Sequence, residues 1–177
     1  MNNMMIDLET LGTAPGSVIL SIGAVLFDAN GIGNEFYCVV SKDSCLMHGL
    51  TIDQSTLDWW EKQSPEARKV LSEAESVDAL SLTDALERLA RFIPLNARIW
   101  SNGANFDQPL LDVAYRALGR SAPWKYYNSR CYRTILALCS TEKSMRPPTV
   151  CAHNALEDAK WQAIHMDNVI RHLGLSL

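Results

Sequence analysis

"MMIDLETLGT", residues 4 to 13, sets Asp7 and Glu9 inside a run of methionine, isoleucine and leucine that reads as the first buried strand of a domain. Residues two apart on a strand project to the same face, so Asp7 and Glu9 lie side by side while Ile6 and Leu8 point the other way. Ionised carboxylates this close repel each other, and burying them costs several kcal/mol unless positive charge compensates. Two readings are open on these residues alone. The acids lie on the solvated face of an edge strand, where such alternation is ordinary, or they share a site that binds a cation.

Working outward, residues 3 to 10 form a strand, "TAPG" a turn, and "SVILSIGAVLFD" (17 to 28) a second strand rich in β-branched residues. "ANG" marks another turn into a strand at 33 to 40, so a three-strand antiparallel meander opens the chain. Helices follow at 53 to 63 and at 64 to 74, the latter with Ser64 as cap and Pro65 in its first turn. "SLTDALERLARFI" (81 to 93) spaces Leu82, Leu86, Leu89 and Ile93 at helical intervals. A strand at 97 to 101, a helix at 107 to 119, a strand at 125 to 130 and helices at 132 to 140 and 155 to 173 complete the pattern. A meander followed by alternating strands and helices predicts an α/β class: a mixed sheet, antiparallel at first and then parallel, flanked by helices.

At 177 residues the chain suits one domain, 1 to 177, and 47% hydrophobic with 20% charged residues fits a folded protein. A net charge of -4 excludes a broad basic surface that grips a long nucleic acid by counterion release. Five cysteines (Cys38, Cys45, Cys131, Cys139, Cys151) with no CxxC pair argue against a disulfide framework and a structural zinc site, which points to a cytoplasmic location. No leader-like segment opens the chain and no apolar run approaches the ~20 residues that span a bilayer, so no membrane partner is expected.

The remaining acids fall at element junctions. "IWSNGANFDQPLL" delivers Asp107 where a strand gives way to a helix, either as a simple N-cap or as part of a site beyond the strand ends. In "AHNALEDAKWQAI", His153 and Asp158 are five apart, about 140° around a continuous helix, so they converge only if His153 precedes the helix. Asn154 as N-cap, with Glu157 three residues on, allows this arrangement. On these residues alone, helix capping and dipole complementation by the acids explain the pattern equally well.

Taken together and in order, Asp7-x-Glu9 on the first strand, "NxxNFD" ending at Asp107, and His153 followed by Asp158 resemble the DEDDh 3'-5' exonucleases of the ribonuclease H-like superfamily. "MIDLETLGT", "VILSIGAVLFD", "LDWWEKQS" and "WSNGANFD" are similar to its compact phage and bacterial members, the exonuclease A-like and exoribonuclease-like group. The resemblance implies a metal-dependent enzyme that releases nucleoside 5'-monophosphates from the 3' ends of single strands or overhangs of DNA or RNA. It implies two Mg²⁺ ions, with Mn²⁺ as a substitute, held by Asp7, Glu9, Asp107 and Asp158. His153 would be the general base, since an imidazole pKa near 6.5 suits proton removal at neutral pH.

By the same resemblance, Thr10 and Leu11 would meet the terminal nucleotide. Trp59 and Trp60 would stack a base, or else anchor the core or a homodimer interface on the helix at 55 to 61; adjacent positions cannot both face the substrate. Arg130 belongs to a basic group with Lys125, Arg133, Lys143 and Arg146 that suits phosphate oxygens or a solvated face equally. Asn102 and Asn105 would support the loop beneath Asp107, Asn105 also within reach of substrate. Trp100 reads as core, and His48, His165 and His172 as ordinary surface or core residues. Two alternatives use the same fold: an inactive nucleic-acid-binding module, and a proofreading partner of a polymerase.

Overall fold

The computed structural model describes residues 1–139 and 153–175; Lys143, Arg146 and Cys151 lie outside them. The opening meander is present as β1 (Asn3–Thr10), β2 (Ile19–Asp28) and β3 (Gly31–Val39). Beyond it come α1 (Lys42–Met47), α2 (Gln54–Trp60), α3 (Pro65–Glu73) and α4 (Leu82–Phe92). The alternating half supplies β4 (Arg98–Ser101), α5 (Asp107–Ala117), a 3-10 turn (Tyr126–Asn128), β5 (Ser129–Cys131), α6 (Tyr132–Ala137) and α7 (Ala155–His172). The sequence reading had no helix at α1. It is six residues long, capped by Ser41 onto the Ser44 N–H, too short to show a periodicity. The strand expected at 125 to 130 divides into the 3-10 turn and the short β5.

The sheet runs β3-β2-β1-β4-β5, with β1 at its centre, antiparallel to β2 and parallel to β4, and β5 parallel to β4. Period-two alternation splits two cores between its faces. Met4, Ile6 and Leu8 of β1, with Leu20 and Ile22 of β2, pack under α1 to α5, where Leu82, Leu86 and Leu89 are fully buried. On the opposite face Met5, Val25, Phe27 and Trp100 meet α6 and α7. Asp7 and Glu9 continue the Met5 face of β1, beyond the apolar stretch that α7 covers.

A small-residue seam sets how closely α7 lies on the sheet. Ala155, Ala159 and Ala163 recur every four residues on its buried side. Below its first turn lies Gly23, opposite Asp7 in the ladder, and a Cβ there would meet the Ala155 carbonyl carbon at 2.1 Å and the Leu156 nitrogen at 2.2 Å. These are backbone atoms, so the start of α7 would have to move. Gly23→Ala is expected to destabilise the fold by about 1 to 3 kcal/mol through overpacking and to displace His153 and Asp158 from β1. Urea unfolding together with nuclease assays checks this; an active variant of wild-type stability would refute the tight seam.

Candidate active site

Three parts of the chain bring acids to the end of β1. Asp7 and Glu9 come from the strand itself, and Asp158 from the first turn of α7; one carboxylate oxygen of each can be chosen so that all three lie within 4.8 Å. Asp107 comes from the first turn of α5. Pairing of β1 with β4 ends at Met5 and Trp100, and beyond that point the Leu8 N–H donates to Asp107 Oδ1 at 3.2 Å. Asp107 is therefore not a helix cap: Phe106 holds the cap position, without a side-chain bond.

His153 lies just before the N-cap of α7, as convergence with Asp158 requires. Asn154 Oδ1 accepts from the Glu157 N–H at 3.1 Å, and His153 adopts the left-handed φ of 63° that turns the chain into the helix. Its ring packs edge-on against Trp59, centroids 4.8 Å apart, and more loosely against Trp60. All five side chains line one cavity of about 650 Å³.

The cavity strains its own ionisation. Burial, followed by repulsion from Asp107, Asp158 and Glu9, raises the Asp7 pKa well above the carboxylate range, and the Gln162 hydrogen bond opposes this. Burial pushes Asp107 up to about 7 in spite of backbone N–H donors and the nearby Arg133 guanidinium. A set of hard oxygen donors that repel one another fits a divalent cation, and Asp7, Glu9 and Asp158, whose oxygens meet, could hold it; Asp107 lines the same cavity outside that trio.

The residues expected around the acids divide. Thr10 lines the cavity, its Oγ1 donating to the Gly12 carbonyl at 2.8 Å. Trp59 lines it too and is 41% exposed. Leu11 is 1% exposed within the core, so its side chain is not available to a nucleotide, a correction to the expectation. Trp60 is corrected likewise: it is 1% exposed and its Nε1 donates to the Thr10 carbonyl at 2.9 Å, so it supports the end of β1 rather than offering a ring face. Arg130 is also corrected, because its guanidinium is turned to the carbonyls of Tyr127 and Ser129 at 2.7 and 2.9 Å. Asn105 is exposed over Gly103 and outside the cavity lining, whereas Asn102 lines it. Trp100 and His165 are core residues, the latter bonded to the Tyr132 hydroxyl.

One residue of the site, Gln162, has no place in the expectations from sequence. Gln162 Nε2 donates to Asp7 Oδ1 at 2.8 Å. The signal was available, since Gln162 stands four residues after Asp158 on the same helix face. Of the basic group expected to meet phosphate oxygens or solvent, Arg133 lines the cavity, and nothing in its sequence neighbourhood distinguishes it from Arg130.

Residues 2–170 match the model of the 3'-5' exoribonuclease Rv2179c-like domain. The exodeoxyribonuclease of Enterobacteria phage T4 is 25% identical over 210 residues, covering 97% of this chain and 90% of the phage protein. Exonuclease X, solved in complex with 5' overhanging duplex DNA, superposes with a TM-score of 0.62 at 18% identity, over 98% of this chain and 93% of that one. The nuclease domain of 3'hExo, a DEDDh family member bound to rAMP, gives 0.58 at 13% identity, over 96% and 91%. Among the described residues no helix is long and apolar enough to cross a membrane. With a mixed five-strand sheet shared with these nucleases and a family model that spans nearly its whole length, the chain belongs to the 3'-5' exoribonuclease Rv2179c-like family and is a 3'-5' exonuclease.

Proposed function

We propose that residues 1–177 form one exonuclease domain that releases nucleoside 5'-monophosphates from the 3' ends of single strands or overhangs. In this reading Asp7, Glu9, Asp107 and Asp158 hold two Mg²⁺ ions, or Mn²⁺ in their place, and His153 is the general base. The observation that carries it is the convergence of these five side chains, from β1, α5 and the start of α7, on one cavity. When bound, the cations supply Lewis-acid activation of the attacking water and stabilisation of the leaving oxygen. His153 would take the proton from the attacking water, its ring held at right angles against that of Trp59. Gln162 fixes one oxygen of Asp7 and leaves the other for a cation. The exposed ring of Trp59 stacks the terminal base, and Thr10 flanks the terminal nucleotide. Both sugars are retained as substrates: the family description names ribonucleic acid chemistry, and the phage relative is an exodeoxyribonuclease.

Incubation of 5'-labelled single-stranded DNA and RNA of one sequence with Mg²⁺, Mn²⁺ or chelator tests the reading. The expected result is a ladder shortening from the 3' end, lost with chelator and reduced about a hundredfold or more in Asp7→Ala. The faster substrate identifies the preferred sugar. Intact label in every metal, with strand binding retained, would convert the reading to a binding module. Trp59→Ala is expected to raise KM by roughly tenfold, in line with the ~1 to 3 kcal/mol of a base stack, with a smaller change in kcat; an unchanged KM would remove Trp59 from the substrate contacts.

The acid cluster also predicts how the metal-free chain responds to pH. Burial raises the folded pKa of Asp107 from the ordinary 3.8 to about 7, so the folded state binds this proton more tightly than the unfolded state. Its contribution is intact below about pH 4 and is lost as pH rises through 7. Asp107→Asn keeps an acceptor for the Leu8 N–H without the charge. In chelator at pH 8 it should therefore be more stable than wild type by up to a few kcal/mol, while losing nuclease activity. Urea midpoints at pH 5 and pH 8 check the sign; a wild-type chain more stable than the variant at pH 8 would refute it.

A further inference from the structure

The substrate is a polyanion, yet the cavity is walled by four carboxylates in a chain of net charge -4. Among the described residues Arg133 is the one arginine or lysine that lines it. Neighbouring cations are engaged elsewhere: Arg130 with the carbonyls of Tyr127 and Ser129, and Lys160 with Glu35 and Glu157 at 3.2 and 3.4 Å. Arg133 stands in the first turn of α6, and its Nε donates to Asn102 Oδ1 at 3.0 Å. Its stem runs beside Gly103, whose Cβ position would be 3.9 Å from Nε and 4.0 Å from Cδ. The guanidinium is thus anchored through Nε to the loop that leads to Asp107. Its two Nη groups have no acceptor among the described residues, and the residue is exposed.

We infer that Arg133 is a substrate-binding residue whose Nη pair holds the phosphodiester one linkage upstream of the scissile bond. The scissile phosphate belongs at the Asp7, Glu9 and Asp158 cluster, where the acids converge. Ser55, Thr56 and Trp59 of α2 and, from elsewhere in the chain, Asn102 and Arg133 all line the cavity; with the terminal base on Trp59, as proposed above, the outgoing strand is placed past Asn102 and Arg133, beside Asp107. A guanidinium with its Nε already bonded presents two parallel donors, a geometry that matches two phosphate oxygens. An anchored fork also loses less conformational freedom on binding than a free lysine would. This inference rests on the exonuclease reading, since it places the strand by its scissile bond.

The test is a cycle of equilibrium binding, read by fluorescence anisotropy with Ca²⁺ in place of Mg²⁺. Wild type and Arg133→Gln are each measured against a single strand with all phosphodiesters and against one with a neutral methylphosphonate at the second linkage from the 3' end. Either change alone is expected to raise Kd by about tenfold, as for loss of a charged hydrogen bond, and both together by no more than one alone. The slope of log Kd against log salt should become shallower by about 0.7 in Arg133→Gln, the release of one phosphate contact on a single strand. Arg133→Lys should recover that slope but only part of the affinity. Additive losses, or a weakened Arg133→Gln with an unchanged salt slope, would mean that the residue merely braces Asn102 and would overturn the inference. Because binding is the readout, a wild-type chain that shows this pattern but leaves the strand intact in Mg²⁺ upholds Arg133 and overturns the exonuclease reading. No measurable binding by wild type overturns both.

Discussion

Four carboxylates converging at one end of a central strand repel one another, and burial deepens the conflict because the low-dielectric interior neither solvates nor screens them. Asp7 shows this most directly: burial and three acidic neighbours all act against its ionisation, and a neutral amide from Gln162 opposes them. The rest of the fold is arranged to hold this unfavourable set together. Two hydrophobic cores, one on each face of β1, anchor the strand on both sides of the acids. Hydrogen bonds from backbone and amide donors then fix Asp107 and Asp7 in the wall of the shared cavity. Such an arrangement is a stability liability without a cation and a binding site with one, because a dication converts the repulsion into attraction.

Convergence depends on how little space separates α7 from the sheet. Helix and strand backbones approach closely where neither carries bulk, and here Gly23 on one side faces Ala155 on the other. Gly23 is the ladder partner of Asp7, so the point of closest approach coincides with the strand position that begins the acid cluster. A wider seam would carry Asp158 away from Asp7 and Glu9 while leaving the sheet intact. The apolar part of α7, through Met166 and Ile170, then acts as the lever that keeps its first turn in place.

Much of this was legible in the residues. The period of a strand separated Asp7 and Glu9 from Ile6 and Leu8, and the helical angle between positions 153 and 158 required a break at Asn154, which the structure contains. Spacing of Leu82, Leu86 and Leu89 gave α4 nearly to the residue. What failed has a common cause: side-chain direction off the regular elements carries no period. Arg130 and Arg133 are three apart and chemically identical, but β5 ends between them, and one guanidinium folds back on carbonyls while the other reaches the cavity. Leu11 stands one residue beyond β1, after a register shift between Glu9 and Thr10, so strand alternation no longer predicts its face. Gln162 lies one helical turn from Asp158, but an uncharged amide is not itself a ligand for the expected chemistry, so its residue type carries no signal of the site.

The tryptophan pair shows how one short helix serves two neighbours at once. Trp60 turns inward and donates its indole N–H to the carbonyl of Thr10, tying α2 to the last residue of β1. Trp59 turns outward, and its ring meets the edge of His153. His153 occupies left-handed backbone space that costs a non-glycine residue on the order of 1 kcal/mol, and aromatic packing of this geometry contributes a comparable amount in return. The conformation is thus sustained from outside its own segment, by α2. Since the same helix holds the end of β1, the imidazole and the acids on β1 are positioned against a common support, and a shift of α2 moves both. The imidazole of a residue outside any helix or strand is thus placed by contacts from α2 as well as by its own backbone, on the same support that holds the end of β1.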